Sequence, residues 1–511
     1  MSTYKIGTRG SLLAVTQSTL MKNELERISG EKFELVLIQT QGDQITNKPL
    51  WQLEGKDFFT KELDEALLKG EVDCVIHSYK DLGSIRPEGI KLAAITERKF
   101  AHDILLIPQS NIDKLKNWDG DFIVGTSSPR RIANLTLKLK DYIPHLDEST
   151  TLRCETLRGN VNTRIKKLRD GQYHAITLAL AGLERLALGE KSKQELTDLL
   201  DGLNYLILPQ SVFPSAASQG ALGIEMREGR NDNGKLFGIL NQLAHSITIE
   251  EVSRERKTFQ SYGGGCHLAV GIHVKKLGEH FLHVEAGEVD NVRVEKKWLE
   301  GENPLKLENE KLFVGLPSGQ RSDVVYDEYI KKIQETHKLD FNNKHVFVTS
   351  KYNLDTLAQS QQGTQGIWAG GVKSAQRLTQ AGFWINGTSD SLGTQDLIDL
   401  KNSKALKIIH STIDQDWIVL SHHEATSDLG AVKGTYTRVT QDVSQEFESK
   451  LKEVTACLWT SIHQYQLYIN RFDFLKNVKH FCGLGKTWQE FQKAGVKVTP
   501  VASMQDFYEL K

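Results

Sequence analysis

Apolar and polar positions alternate along the first part of the chain so as to predict strands and helices in turn. Lys5-Ile6-Gly7 is strand-like, Phe33 to Gln39 reads as a strand, and Phe58, Phe59, Leu63, Ala66 and Leu67 recur at helical spacing. Val72 to Ile76, Ile104 to Ile107 and Phe122 to Val124 read as further strands, Asn160 to Asp170 as a helix, and Ala175 to Leu180 as a buried strand. Such alternation implies α/β layers with ligand groups at the carboxyl ends of the strands. Beyond Gly263-Gly264-Gly265 the texture changes. Ile272-His273-Val274 and His280 to Ala286 alternate like strands of a small sheet with one wet face. Leu299 to Gln320, rich in Gly, Pro, Glu, Asn and Lys, reads as the close of that module, and a domain boundary is expected near residue 330, before a strand at His345 to Val348.

The last third contains an internal repeat. Gly370-Gly371-Val372-Lys373-Ser374 runs on to Ala381-Gly382, and Gly483-Leu484-Gly485-Lys486-Thr487 runs on to Ala494-Gly495. Each copy is preceded by a strand ending in Thr-Ser, at Thr349-Ser350 and Thr460-Ser461. Repeated strand–helix units predict two similar α/β lobes there. The Gly-Lys-Thr is not a phosphate loop, because His480 stands where that motif needs a further glycine.

With 511 residues there is room for three or four domains, and a formal net charge of −1 argues against a general polyanion binder. No nucleic-acid partner is therefore expected. Cys74, Cys154, Cys266, Cys457 and Cys482 lack CxxC spacing, so neither a metal site nor a disulfide framework is indicated. The start at Met1-Ser2-Thr3-Tyr4 leads directly into a strand, and the apolar run Ile176 to Leu183 is too short to span a bilayer. A cytoplasmic setting without membrane association is the expectation.

Arginine recurs where strands run into helix starts. The junctions are Gly7-Thr8-Arg9-Gly10-Ser11, Gly125-Thr126-Ser127-Ser128-Pro129-Arg130-Arg131, and Leu157-Arg158-Gly159-Asn160 with Arg164 beyond. Helix N-termini attract anions, and arginine adds a fork that grips carboxylate or phosphate. Ser128 suits an N-cap and Pro129 the first turn, but two arginines just inside a helix start are opposed by its dipole unless an anion sits there. His77-Ser78-Tyr79-Lys80-Asp81 places a carboxylate at another strand end. It should stay ionised and can hold a developing cation or accept a hydrogen bond from a heterocyclic N–H; an isolated Lys-Asp would read as a structural ion pair. Cys266 follows three glycines, which allow an open backbone that could present the thiol to a cleft or simply bury it.

Residues 3 to 310 together resemble hydroxymethylbilane synthase, also called porphobilinogen deaminase. The likeness lies in the opening Gly-Thr-Arg-Gly-Ser, Gly55-Lys56 with Phe58-Phe59, His77 to Asp81 and Gly125 to Arg131. It continues in Leu157 to Arg164, Ala181-Gly182-Leu183-Glu184-Arg185-Leu186, Ser218-Gln219-Gly220-Ala221 and Gly264-Gly265-Cys266. The resemblance implies an enzyme that joins four porphobilinogen molecules head to tail, releasing ammonia each time. It implies a dipyrromethane cofactor on Cys266 and Asp81 as the catalytic carboxylate. Lys80, Ser128, Arg130 and Arg131 would bind the cofactor; Arg9, Ser11, Arg158, Arg164 and Arg185 would bind substrate.

The implied fold is α/β: two lobes like those of periplasmic solute-binding proteins (1–98 with 200–222, and 99–199), a small cofactor-attachment domain (223–330), then a bilobal α/β region (331–511). A monomer is expected. Gly83 after Leu82, His102 and Ser218 depart from the family's usual proline, arginine and glycine. The last region more faintly resembles uroporphyrinogen-III synthase, which cyclises the linear product. Its usual first strand and helix are not evident before His345, and Tyr436 reads as a loop tyrosine. The alternatives are a non-catalytic scaffold or interaction module at the C-terminus, or a solute-binding protein throughout.

Overall fold

The computed structural model describes residues 3–40, 60–83, 85–146, 148–265, 267–301 and 310–509. Ten strands build two sheets: β1 (Thr3–Arg9), β2 (Lys32–Ile38), β3 (Cys74–Ser78), β4 (Ile90–Ile95), β5 (Asp103–Pro108), β6 (Phe122–Gly125), β7 (Leu152–Glu155), β8 (Ala175–Ala179), β9 (Leu203–Ile207) and β10 (Leu222–Arg227). Lobe 1 has the order β2-β1-β3-β10-β4 and lobe 2 the order β7-β6-β8-β5-β9. In each, one antiparallel strand, β10 or β5, arrives straight after the chain crosses between lobes. Ile104 to Ile107 are fully buried, as a strand covered on both faces requires. Leu180 is not the end of a strand; it opens the helix Leu180–Leu188.

The two crossings, residues 96–102 and 208–221, run side by side. Thr96 N donates to Leu222 O at 3.0 Å and Lys99 N to Gly220 O at 3.0 Å. Gly220 is required here, since a Cβ on it would stand 2.0 Å from Lys99 O. Ser218 sits at a φ of 67°, the left-handed region that favours the glycine it replaces, and its N–H donates to Glu255 Oε2 at 2.7 Å.

Two expected boundaries move. Leu236, Ile239 and Leu240, from the helix Lys235–Asn241, share the core of Tyr4, Ile6 and Ile76, and β10 itself is in lobe 1, so lobe 1 runs past residue 222. The third module is the helix Ser246–Ser261 and the antiparallel sheet β11 (Ala269–Leu277), β12 (His280–Val289) and β13 (Val292–Glu300). The C-terminal region begins before residue 330. Leu312–Val314 and Val324–Tyr326 lie parallel in one sheet with Ala456–Trp459, Lys479–Gly483 and Thr499–Val501. A strand therefore does precede His345; a polar, glycine-rich stretch masks it in the sequence.

The second C-terminal sheet comprises Ile330–Gln334, Ala431–Thr440, Trp417–His422, His345–Val348, Gly366–Ala369 and Gly387–Thr388. Each sheet holds one copy of the repeat: a strand, a serine-capped helical segment, a second parallel strand, then a helix at Val372–Gln380 or Lys486–Lys493. Tyr436 is buried within a strand of this sheet rather than in a loop. This second sheet is joined to lobe 2 by a common core, in which Ile104, Leu106 and Tyr205 cluster with Trp368, Leu406 and Trp417. Along the edge strand β9, Ile207 N donates to Asn386 O at 2.8 Å and Asn386 Nδ2 to Tyr205 O at 2.9 Å. Glu184 of lobe 2 accepts from Ser403 Oγ at 2.6 Å and from Ala405 N at 3.1 Å, at the start of the helix Lys404–Ile409.

Candidate functional site

Strand ends deliver the polar groups to one place. Arg9 closes β1, and the Ser11 hydroxyl accepts Ala14 N at 3.3 Å to start the helix Leu12–Ser29. After β3 a single turn, Tyr79–Asp81, sets Lys80 and Asp81 in sequence. In lobe 2 Asn160 caps the helix Val161–Arg169 through Thr163 N at 2.9 Å, and Arg164 Nε donates to Gly159 O at 2.8 Å. Arg185 reaches from its helix to Gly220 O of the second crossing at 2.7 Å.

These residues line a cleft of about 1090 Å³ between the lobes. Lobe 1 contributes Arg9, Ser11, Lys80 and Asp81; lobe 2 contributes Arg131, Arg158, Arg164, Lys167 and Arg185. Among the described residues that line it, Asp81 is the one carboxylate, and it is exposed. Burial pushes the Lys80 amine down to about 8, Arg131 and Arg130 adding to the effect and Asp81 and Asp103 opposing it. Burial likewise brings Arg164 and Arg185 down to about 10. Cations stripped of water and crowded together gain most when an anion joins them. Such a lining has the chemistry to hold a molecule carrying several carboxylates or phosphates.

The anion demanded by the arginine pair at the helix Pro129–Lys138 is Asp103, a residue that no sequence motif marks. Arg131 Nε and Nη2 donate to its two oxygens at 3.0 and 2.7 Å, and Arg130 Nη1 lies 2.8 Å from Oδ2. Burial alone would raise this carboxyl; the two guanidinium groups hold it well below the usual carboxylate range. Arg130 also donates to Pro214 O at 2.8 Å and does not line the cleft. Ser128 stands at the N-cap position without a side-chain capping bond and is likewise outside the lining. The available signal was an acid opening the apolar run Ile104 to Ile107, which cannot be buried without a partner.

Cys266 lies outside the described residues, as do Gly55, Lys56, Phe58 and Phe59. Immediately before Cys266, Gly263, Gly264 and Gly265 have φ of 93°, 64° and 97°, three successive left-handed residues at the end of the helix Ser246–Ser261. Only glycine adopts such a run without strain. No helix among the described residues is long and apolar enough to cross a membrane.

Comparison with known proteins agrees with this chemistry. The family model described as porphobilinogen deaminase, dipyromethane cofactor binding domain, matches residues 4–235. A porphobilinogen deaminase of Nostoc sp. is 35% identical over 282 residues, covering 55% of this chain and 80% of that protein. One from Lachnospira eligens is 38% identical over 296 residues, covering 57% and 91% respectively. Among solved structures, uroporphyrinogen-III synthetase from Helicobacter pylori matches with a TM-score of 0.28 at 15% identity, over 39% of this chain and 97% of that one. A periplasmic sulfonate-binding protein from Methylobacillus flagellatus matches with a TM-score of 0.24 at 14% identity, over 51% and 72%. The chain belongs to the porphobilinogen deaminase family.

Proposed function

We propose that this chain is a hydroxymethylbilane synthase, a transferase that polymerises porphobilinogen into a linear tetrapyrrole on a dipyrromethane cofactor. The observation that carries this reading is the cleft in which seven cationic side chains, three from the helix-start junctions, share the lining with the carboxylate of Asp81. Each pyrrole ring brings an acetate and a propionate, so the growing product is a polyanion matched to that lining. The reaction breaks the bond from the aminomethyl carbon to nitrogen, releases ammonia, and forms a carbon–carbon bond to the free α-position of the neighbouring ring, which loses a proton.

Asp81 supports the cation left as ammonia departs and accepts pyrrole N–H groups. It can also take up the proton released at condensation. Lys80, Arg131, Arg158, Arg164 and Arg185 hold the side-chain carboxylates, Arg9 and Ser11 bound the lobe 1 wall, and Arg130 acts through Asp103. The donor set fits a dipyrromethane, which is itself a polycarboxylate; when bound it supplies the end to which new rings are added. Its attachment is assigned to Cys266, at the close of the glycine run. The test is the intact mass of the purified chain: an excess of two pyrrole units, absent in Cys266→Ser. An unmodified mass in the parent protein would overturn the assignment.

For the C-terminal region we favour cyclisation of the linear product within a bilobal arrangement. The supporting observation is a second cavity of about 400 Å³ between its two sheets, lined by Lys332, Arg438, Tyr352 and Ser461. Burial, with Arg438 adding to it, pushes the Lys332 amine down to about 8, and Arg438 donates to Ser461 Oγ at 3.4 Å. Because this region shares its core with lobe 2, the test uses the full chain. Porphobilinogen should yield the asymmetric isomer III, and Arg438→Ala should shift the product toward the symmetrical isomer I. Isomer I alone from the parent chain would leave the region a scaffold.

A further inference from the structure

Gln219 lines the cleft, and Asp103 lies directly behind it. Asp103 begins β5 as the first crossing ends, and Gln219 lies in the second crossing; each is 1% exposed. Gln219 Nε2 donates to Asp103 Oδ1 at 2.9 Å and to the Ala101 carbonyl at 2.7 Å, while its Oε1 accepts from Lys80 Nζ at 3.3 Å. The amide can sit only one way round, because its NH₂ faces two acceptors and its oxygen an ammonium. Asp103 in turn takes the forks of Arg131 and Arg130. An unbroken path of hydrogen-bonded side chains therefore runs from the arginine pair of lobe 2, through the first residue of β5 and one residue of the second crossing, to the lysine beside Asp81 in lobe 1.

We propose that Asp103 and Gln219 are positioning residues for Lys80, coupling the state of the lobe 2 arginine pair to the placement and charge of the lysine at the reacting end of the cleft. The inference rests on the reading of the chain as a hydroxymethylbilane synthase. The charged groups facing Lys80 are Asp81 beside it, Asp103 from β5, and Arg131 and Arg130 from the helix Pro129–Lys138. The two carboxylates favour its ammonium form and the two arginines oppose it. A ligand carboxylate that neutralises part of the arginine charge relieves this repulsion. Lys80 is then held more firmly as a cation when the polymer is in place. Gln219 is the only polar bridge in this path between Asp103 and Lys80, so its substitution separates the relay from the arginines themselves.

Gln219→Leu removes both polar ends at nearly constant volume. Gln219→Glu keeps an acceptor toward Lys80 and adds negative charge. With the full chain, initial rates of porphobilinogen consumption are measured between about pH 6.5 and 9.5. The alkaline limb of kcat/KM, where Lys80 loses its proton, should move down by about half a pH unit or more in Gln219→Leu and up in Gln219→Glu. In the leucine variant kcat should fall about tenfold while KM changes less than about threefold. A limb that moves in neither variant, or in the same direction in both, overturns the proposal, as does a raised KM at unchanged kcat. If Gln219→Leu fails to fold, the direction of the Gln219→Glu shift decides, with Asp103→Asn expected to shift the limb down. A parent chain that does not consume porphobilinogen overturns the functional reading instead, which keeps the two failures distinct.

Discussion

Lobe 1 and lobe 2 use the same strand order, each with the strand delivered by a crossing inserted beside an edge strand, yet their surroundings differ. The main core of lobe 1 is its own: Tyr4, Ile6, Leu25, Ile76 and Ile224 pack with the helix Lys235–Asn241. The core of lobe 2 continues into the C-terminal region through Trp368, Leu406 and Trp417. The polar groups divide as well. Lobe 1 carries the exposed carboxylate of Asp81, while most of the cations lining the cleft come from lobe 2. Equal topology thus supports unequal settings: a lobe with its own core, held by its crossings and by the helix Ser246–Ser261 through Val252 and Arg256, and a lobe fixed to a large partner that presents most of the cations. What decides the difference is the covering of β9, an edge strand with one side open to a neighbour.

This contrast can be broken first at the cleft. Asp81→Ala should lower kcat about a thousandfold with little change in thermal stability, because the side chain is exposed and its proposed part is to stabilise developing charge. Arg164→Ala should instead raise KM about tenfold or more while sparing kcat, since its proposed part is charge-assisted binding from the other lobe. Steady-state kinetics on both variants checks the division; matching losses in kcat would abolish it.

At the shared core, Trp368→Ala should cost about 3–5 kcal/mol, as expected for a fully buried aromatic ring. Amide exchange should rise in β5 and β9 together with the C-terminal strands and stay unchanged in β1 and β3. Exchange confined to the C-terminal strands would mean that the two cores are energetically separate.

Acid should sharpen the same contrast more gently. Burial pushes His345 down to about 3 and His410 to about 4, and both lie against the common core, where Trp368 Nε1 donates to His345 Nδ1 at 3.4 Å. Their folded values lie below the usual 6.5, so the unfolded chain binds the extra protons between those values. Stability should therefore be intact above pH 6.5 and fall toward pH 4 by about 1.4 kcal/mol per pH unit for each histidine. Thermal melts between pH 7 and 5, read by exchange in each lobe, would measure it. A loss appearing first in lobe 1 would contradict the reading.

Much of this was legible along the chain. Apolar runs marked β3, β5, β6 and β8, glycine and serine marked the helix starts, and the repeat marked paired strand–helix units in the C-terminal region. Those features rest on local backbone preference and short-range pattern, which sequence carries directly. Arginines at helix starts also marked part of the cationic lining of the cleft, at Arg9, Arg131 and Arg158. Three things lay beyond reach. Leu312–Val314 is too short and too poorly flanked to read as a strand, and is one because Ala456–Trp459 completes its pairing. The reach of lobe 1 past residue 222 follows from β10 entering between β3 and β4, a long-range pairing with no local mark. Asp103 became the partner of Arg130 and Arg131 only when the first crossing brought it to their helix. Burial then made a matching counter-charge obligatory, for an unpaired ion there would cost more than the fold could bear.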